Sequence, residues 1–194
     1  VDREAVKPAI PHITILNRDQ ESSGRSILNA EDLAEAIQEK FGRGTNGNSP
    51  LAATVEVVSH MDEWTFAQQF VKVSHTDILI SPHGAQLTSL FLLPKCSSVL
   101  EIFGRGYYVP EFYGSLAASS GVRYQSLYTG GGDNSTSESK GNMTAELDYW
   151  MKSFETRSVA RLFPICAPID VIVDKVGEEI QLWNERMKDA KERC

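Results

Sequence analysis

Cysteine is scarce in this sequence, and long apolar runs are missing from it. The 194 residues include three cysteines, Cys96, Cys166 and Cys194, which are far apart and lack metal-ligand spacing. Their number and spacing leave the redox compartment and the disulfide pairing open. No apolar run approaches the roughly 18 residues that a membrane-spanning helix needs.

Positive charge is also in short supply. The chain has 19 Lys and Arg residues against 26 Asp and Glu residues, which gives a formal net charge of −7, and it contains no dense basic run. These features argue against duplex nucleic acid or an anionic membrane surface as the main partner. An anionic ligand would therefore have to be bound by a local arrangement of groups.

Metal ligands are not grouped either. His12, His60 and His75 have no neighbours at metal-ligand spacing, and no Asp-x-Asp pair is present to hold a divalent cation. The sequence therefore predicts no metal site.

The chain does contain a regular alternation of β-branched runs and segments with helical spacing. Strands are predicted over residues 10–16, 53–59, 78–80, 98–103 and 122–127. Helices are predicted from Asn29 to Phe41, from a cap at Asp62 through Val73, and over residues 85–93, 110–120 and 174–190. We expect one α/β domain over residues 10–193, Rossmann-like and doubly wound, with a mostly parallel sheet. Ligands of such sheets bind at the carboxyl ends of the strands.

A stretch rich in Gly, Ser and Asn over residues 129–142 is too polar to pack and is predicted to be a surface loop. It contains two N-glycosylation sequons, at Asn134 and Asn142. Both would accept glycans on a secretory-pathway protein. The alternative is a plain polar loop.

Residues 77–89 are the stretch most informative about chemistry, because a buried strand runs there into a glycine turn and a helix. Unpaired N–H groups at a helix start, here at Ala85, can hold a phosphate. Gly84 leaves the backbone open to that phosphate, His83 can add a hydrogen bond, and the Thr88 hydroxyl lies one turn further on. The alternative is a tight connection in which His83 is only structural.

Charged residues near other strand ends complete this candidate site. Glu101 lies among apolar neighbours at the end of the adjacent strand, where an acidic side chain commonly accepts hydrogen bonds from a ribose. The alternative is that Glu101 faces solvent or pairs with Arg105. Arg18 directly follows the first strand, and Arg25 precedes the segment Ile27-Leu28-Asn29 that leads to the first helix. The planar guanidinium group of arginine suits a diphosphate. Two solvated arginines are the alternative.

These motifs, in this order and spacing, resemble glycosyltransferase family 61, which includes EGF-domain O-GlcNAc transferases, protein O-mannose GlcNAc transferases and plant xylosyltransferases. The resemblance covers roughly residues 10–190 and is thin from Tyr107 onward. Two departures are Gln86, where many members have glycine, and an insertion-like segment over residues 19–24. The matching stretches are Ile13-Thr14-Ile15-Leu16-Asn17-Arg18, Arg25-Ser26-Ile27-Leu28-Asn29, residues 77–89, Leu92-Leu93-Pro94 and Val99-Leu100-Glu101-Ile102-Phe103.

The resemblance implies a GT-B glycosyltransferase, of which this chain would be the C-terminal lobe that binds a UDP-sugar donor, without the N-terminal lobe. It implies an inverting, metal-independent transfer of a sugar of the GlcNAc or xylose class to a hydroxyl of a glycan or protein, with no cofactor. It also implies a lumenal setting in the Golgi or endoplasmic reticulum, with a membrane contacted only through an N-terminal anchor absent from this chain. By position, Arg18 and Arg25 would contact the diphosphate, His83 and Gly84 would form the phosphate turn, and Glu101 would accept from the ribose.

The catalytic base is not identified by the sequence, and we expect it in the other lobe, across the cleft, so that the segment alone would be inactive. Two other classes of protein remain open. One is a non-catalytic Rossmann-like binding module. The other is a dinucleotide enzyme, which is disfavoured because Gly104-Arg105-Gly106 lacks the third glycine and the helix context of that fingerprint.

Overall fold

The computed structural model describes residues 10–19, 24–42, 51–130 and 145–188. The strands within these ranges are β1 (His12–Leu16), β2 (Thr54–Val58), β3 (Ile78–Pro82), β4 (Ser98–Phe103) and β5 (Arg123–Tyr128). They form one sheet in the order β2-β1-β3-β4-β5, and each adjacent pair is parallel. The predicted α/β, Rossmann-like architecture is therefore confirmed, and the described sheet is wholly rather than mostly parallel.

The helices cover more of the chain than the sequence predicts. They are α1 (Ala30–Phe41), α2 (Phe66–Ser74), a 3₁₀ helix (Ala85–Leu92), α3 (Glu111–Ser120), α4 (Phe154–Ala160) and α5 (Ile169–Lys188). Residues 145–151 are also helical. Neither α4 nor the 145–151 helix was predicted, and α5 begins at Ile169 rather than near residue 174. The two sequons, at Asn134 and Asn142, lie outside the described residues.

The predicted start of α2 is wrong. The N-cap is Thr65 rather than Asp62, because Thr65 and Gln68 form a capping box in which each side chain accepts from the backbone N–H of the other. The segment after β3 is helical as predicted, but it is a 3₁₀ helix, with i to i+3 hydrogen bonds such as the one from Leu87 N to Gly84 O, at 2.9 Å.

Two hydrophobic cores cover the two faces of the sheet. Alternate residues of β1 and β3, such as Ile13, Ile15 and Ile80, pack with α1 and α5 on one face. The residues between them, such as Leu79, pack with α3 and the 3₁₀ helix on the other face. Because side chains alternate across a strand, this division explains why the strands read as continuous apolar runs. It also makes the fold doubly wound, as predicted.

No helix within the described ranges is both long and apolar enough to cross a membrane.

Candidate anion-binding site

The carboxyl ends of β1 and β3 lie side by side, where the strand order reverses. The first connection, from β1, leads outward to β2, and the chain then returns to add β3 on the other side of β1. Asn17 and Arg18 follow β1, and His83 and Gly84 follow β3. Ligands of open parallel sheets bind in the crevice that such a reversal creates.

The Arg18 side chain lies directly against Gly84. A β-carbon at position 84 would be 1.9 Å from the Arg18 Nη1 atom and would clash with it. The φ angle of Gly84 is 171°, an extended value that any residue can adopt, so a side chain at position 84 is opposed by the Arg18 guanidinium and not by the backbone conformation. The structure thus brings a predicted cationic residue onto the predicted phosphate turn.

Arg25 is held near the same edge by Asn17. The Asn17 side-chain amide donates to the carbonyl of Ile27 at 2.9 Å and accepts from its N–H at 2.7 Å. These two bonds fix the loop over residues 24–29, which contains Arg25, against the end of β1. Arg25 has a φ angle of +56°, which non-glycine residues adopt rarely and at a cost of about 1–2 kcal/mol. Backbone strain of this kind is concentrated at functional sites.

The loop over residues 24–29 is also tied to a segment far along the chain. Arg25 N donates to Phe163 O at 3.0 Å, and Ile27 and Ile165 form a parallel bridge. Asn29 occupies the N-cap of α1, as predicted, but its side chain does not cap the helix. Its amide pairs instead with the backbone of Ala167, at 2.9 and 2.8 Å. The end of α4 is consequently placed beside Arg25.

The aromatic ring of Tyr107 lies close to several of the candidate site side chains. The guanidinium carbon of Arg25 lies 5.6 Å from the Tyr107 ring centroid, and that of Arg161 lies 6.0 Å from it. The His83 ring centroid is 5.1 Å from the same ring. Cations are attracted to an aromatic face at such distances. Arg25 and His83, predicted from the sequence, thus share one aromatic platform with Arg161, which was not predicted.

Electrostatics at this edge disfavour the charge of Arg25. Burial, the largest cause, together with the nearby charges of Arg18 and Arg161 lowers the pKa of Arg25 to about 10. The pKa of Arg18 is also lowered by burial, an effect that the charge of Asp62 partly offsets. Arg25 remains cationic at neutral pH, and the site is a local concentration of positive charge in an acidic protein.

Glu101 lies beneath His83 rather than at an open surface. It is fully buried, and its two carboxylate oxygens bond to His83 Nδ1, at 2.5 Å, and to the Tyr124 hydroxyl, which donates. Burial and the bond to Glu101 raise the pKa of Tyr124. The alternative reading, in which Glu101 faces solvent or pairs with Arg105, is wrong, because Arg105 pairs with Glu146. The predicted ribose contact remains a prediction, although both oxygens of Glu101 are already hydrogen-bonded within the protein.

The remaining residues of the turn bond mainly to the backbone. Ala85 begins the 3₁₀ helix and is exposed. The Thr88 hydroxyl, also exposed, donates its hydrogen to Ala85 O at 2.7 Å. Gln86 donates to Leu16 O at 3.1 Å and to Ser81 Oγ at 2.8 Å, and thereby links the ends of β1 and β3.

Sequence reasoning missed Asn17, Tyr107 and Arg161 as parts of this site. An asparagine directly after a strand was a usable signal, since its amide can replace a backbone partner. Tyr107, four residues after β4, and Arg161 had no such signal, and Arg161 is placed by backbone bonds that join the loop over residues 24–29 to residues 163–165.

The described residues contain no group of three or more His, Cys, Asp or Glu side chains that could hold a metal ion. Cys96 is disulfide-bonded, whereas Cys166 is a free, exposed thiol.

The fold and the site together define a Rossmann-like domain with a cluster of cationic side chains at the carboxyl edge of its sheet. The model of the family described as Glycosyltransferase 61 matches residues 2–100. The chain therefore belongs to glycosyltransferase family 61. The matched range contains Arg18, Arg25 and the His83-Gly84 turn, and it ends one residue before Glu101.

Curated relatives agree with this assignment. The chain is 32% identical over 118 residues to protein O-linked-mannose beta-1,4-N-acetylglucosaminyltransferase 2 of Homo sapiens, covering 59% of this chain and 18% of that protein. It is 30% identical over 121 residues to the EGF domain-specific O-linked N-acetylglucosamine transferase of Drosophila melanogaster, covering 61% and 20%. The chain thus spans about a fifth of the length of these relatives.

A solved structure, that of a diflavin flavoprotein A3 from Nostoc sp., is 12% identical and covers 95% of this chain and 100% of its own. Its TM-score of 0.42 is too low to support any inference about this protein.

Proposed function

We propose that this chain is the donor-binding lobe of a glycosyltransferase of GT-B architecture that uses a UDP-sugar and needs no metal. The transferred sugar would be of the GlcNAc or xylose class, and the acceptor a hydroxyl group of a glycan or protein. The observation that supports this proposal best is the meeting of Arg18, Arg25 and the His83-Gly84 turn at the reversal of strand order. That arrangement matches what a nucleoside diphosphate requires of a protein.

In the proposed reaction, departure of UDP places negative charge on the β-phosphate. Arg18 and Arg25 would stabilise that charge, since guanidinium groups already oriented by the fold need no reorganisation when the bond breaks. An inverting transfer also needs a base on the opposite face of the sugar to deprotonate the acceptor hydroxyl. We propose that this base is supplied by a second lobe, across the cleft.

A lumenal setting is part of the same proposal. Disulfides persist in oxidising compartments such as the endoplasmic reticulum and are rare in the cytosol. The disulfide at Cys96 supports a Golgi or endoplasmic reticulum location. The names of the two relatives, which specify O-linked mannose and EGF domains, support a glycoprotein or its glycan as acceptor.

Calorimetric titration of the chain with UDP tests the function. We expect saturable binding without added divalent cation, and a loss of about 1–3 kcal/mol of binding free energy in Arg25→Ala. Arg105→Ala is the matched control, because Arg105 also follows a strand at this edge of the sheet but pairs with Glu146. A folded protein that binds no UDP at millimolar concentration would contradict the proposal and favour a non-catalytic binding module.

A further inference from the structure

We propose that Arg161, at the end of α4, is a third anion-binding residue that completes the diphosphate site. This inference rests on the function proposed above and extends the site to a part of the chain beyond the family match, which ends at residue 100. The ligand chemistry is a pyrophosphate group, held by two guanidinium groups that lie near the same tyrosine ring.

The placement of Arg161 is the first line of support. Its guanidinium carbon lies 6.0 Å from the centroid of Tyr107, the ring that Arg25 approaches at 5.6 Å. Arg161 is itself oriented by a hydrogen bond of 3.2 Å from Nη2 to the Ser158 hydroxyl and by the ring of Phe154, at 5.9 Å. Two guanidinium groups are therefore fixed near one ring before any ligand arrives.

The second line of support is that these two cations lack a counter-ion. Among the described residues, no carboxylate forms a hydrogen bond or ion pair with Arg25 or Arg161. The Nε atom of Arg25 is buried and has no hydrogen-bond partner at all. Buried polar atoms are almost always paired, and like charges repel. A bound anion would pair with the Arg25 Nε atom and reduce the repulsion between the two cations, since a single pyrophosphate can accept from several guanidinium groups at once.

The third line of support is the hydrogen bonding that fixes this geometry. The loop that carries Arg25 and the segment that follows Arg161 are joined by bonds from Arg25 N to Phe163 O and from Ile165 N to Ser26 O, at 3.0 and 2.8 Å. The backbone segments that carry the two arginines are therefore joined directly, next to the Tyr107 ring that both guanidinium groups approach.

Titration with two probes, UDP and uridine, tests this role. We expect Arg161→Ala to weaken UDP binding at least tenfold and to leave uridine binding within twofold, because only UDP carries the pyrophosphate. Arg161→Lys keeps the charge but loses the planar fork, so we expect an intermediate loss. The matched control is Arg157→Ala, one turn earlier on α4, where Nε bonds to the Ser153 carbonyl. It should bind UDP like the unmodified chain.

The possible results separate the inference from the function on which it rests. If the unmodified chain fails to bind UDP, the proposed function fails. If it binds UDP and Arg161→Ala binds equally well, or loses UDP and uridine affinity alike, the role of Arg161 is refuted and the function stands. The thermal midpoint of each variant shows whether it is folded. If Arg161→Ala does not fold, Arg161→Gln, which keeps most of the side-chain length, takes its place, with the same result expected.

Discussion

Arg25 should lower the stability of the free protein while it strengthens ligand binding. Its side chain is half-buried, its Nε atom lacks a partner, and burial together with the charges of Arg18 and Arg161 lowers its pKa to about 10. A group whose charged form is disfavoured by folding destabilises the folded state wherever it remains charged. We therefore predict that removing this charge stabilises the free protein and weakens UDP binding.

The size of the effect follows from the pKa. Each pKa unit corresponds to about 1.4 kcal/mol, so the lowering of the Arg25 pKa to about 10 sets an upper bound of about 3 kcal/mol. Solvent screens a half-buried group, which reduces the expected gain to about 1–2 kcal/mol. Arg25→Met is the suitable change, because methionine keeps the length of the side chain and, like arginine, is a non-glycine residue at a φ angle of +56°.

Chemical denaturation with and without UDP measures both effects. Without ligand, the free energy of unfolding of Arg25→Met should exceed that of the unmodified chain by about 1–2 kcal/mol. With saturating UDP the unmodified chain should have the larger free energy of unfolding, because it binds UDP more tightly and is stabilised more by it. Arg25→Lys retains the charge and should show no such gain. A Met variant clearly less stable than the parent without ligand would refute the reasoning, since it would mean that the guanidinium group is satisfied within the protein.

The destabilisation caused by the Arg25 charge depends on pH, and it decreases at high pH. Because the pKa of Arg25 is lower in the folded state, the destabilisation is complete below about pH 10 and is lost as the pH rises through the folded pKa towards the unfolded one. The stability difference between Arg25→Met and the parent should therefore be constant from pH 6 to 9 and should shrink above pH 10. Taking the difference between the two proteins cancels the lysines and tyrosines that titrate in the same range.

Two further changes test the turn and the buried carboxylate. Gly84→Ala should weaken UDP binding about five- to tenfold with little change in thermal midpoint, because the added β-carbon displaces the Arg18 guanidinium and not the backbone; unchanged calorimetric affinity would show that Arg18 need not lie on this turn. Glu101→Gln should lower the free energy of unfolding by about 2–3 kcal/mol in denaturant titration, since the buried carboxylate bonds to both His83 and Tyr124. A variant as stable as the parent would show that these bonds contribute nothing to the fold.

The fold was largely predictable because its signals are local. Continuous apolar runs such as Ile78-Leu79-Ile80 are typical of central parallel strands, and β4 was predicted with its exact bounds. The errors occurred where two local signals compete or where one is weak. Asp62 and Thr65 are both residue types that often cap helices. Thr65 caps α2 because it forms reciprocal hydrogen bonds with Gln68. The short α4 has few buried residues, so its apolar pattern gave little to detect.

The site was predictable only in part, for a different reason. Arg18, Arg25 and the His83-Gly84 turn follow strand ends, and parallel topology alone brings such positions to one edge. The environment of Glu101 depends on Tyr124, in the neighbouring strand, and pairing with this residue cannot be read from spacing along the chain. Arg161 reaches the site through backbone bonds between segments remote in sequence.

Unfavourable features that coincide at one place are more informative here than any motif. The left-handed backbone conformation of Arg25, its unpaired buried Nε atom and the repulsion between its charge and those of Arg18 and Arg161 each lower stability. The protein as a whole carries a formal charge of −7, so its sequence offers many carboxylates that could have paired with these cations. In the described structure none pairs with Arg25 or Arg161, which leaves the positive charge available to an incoming anion.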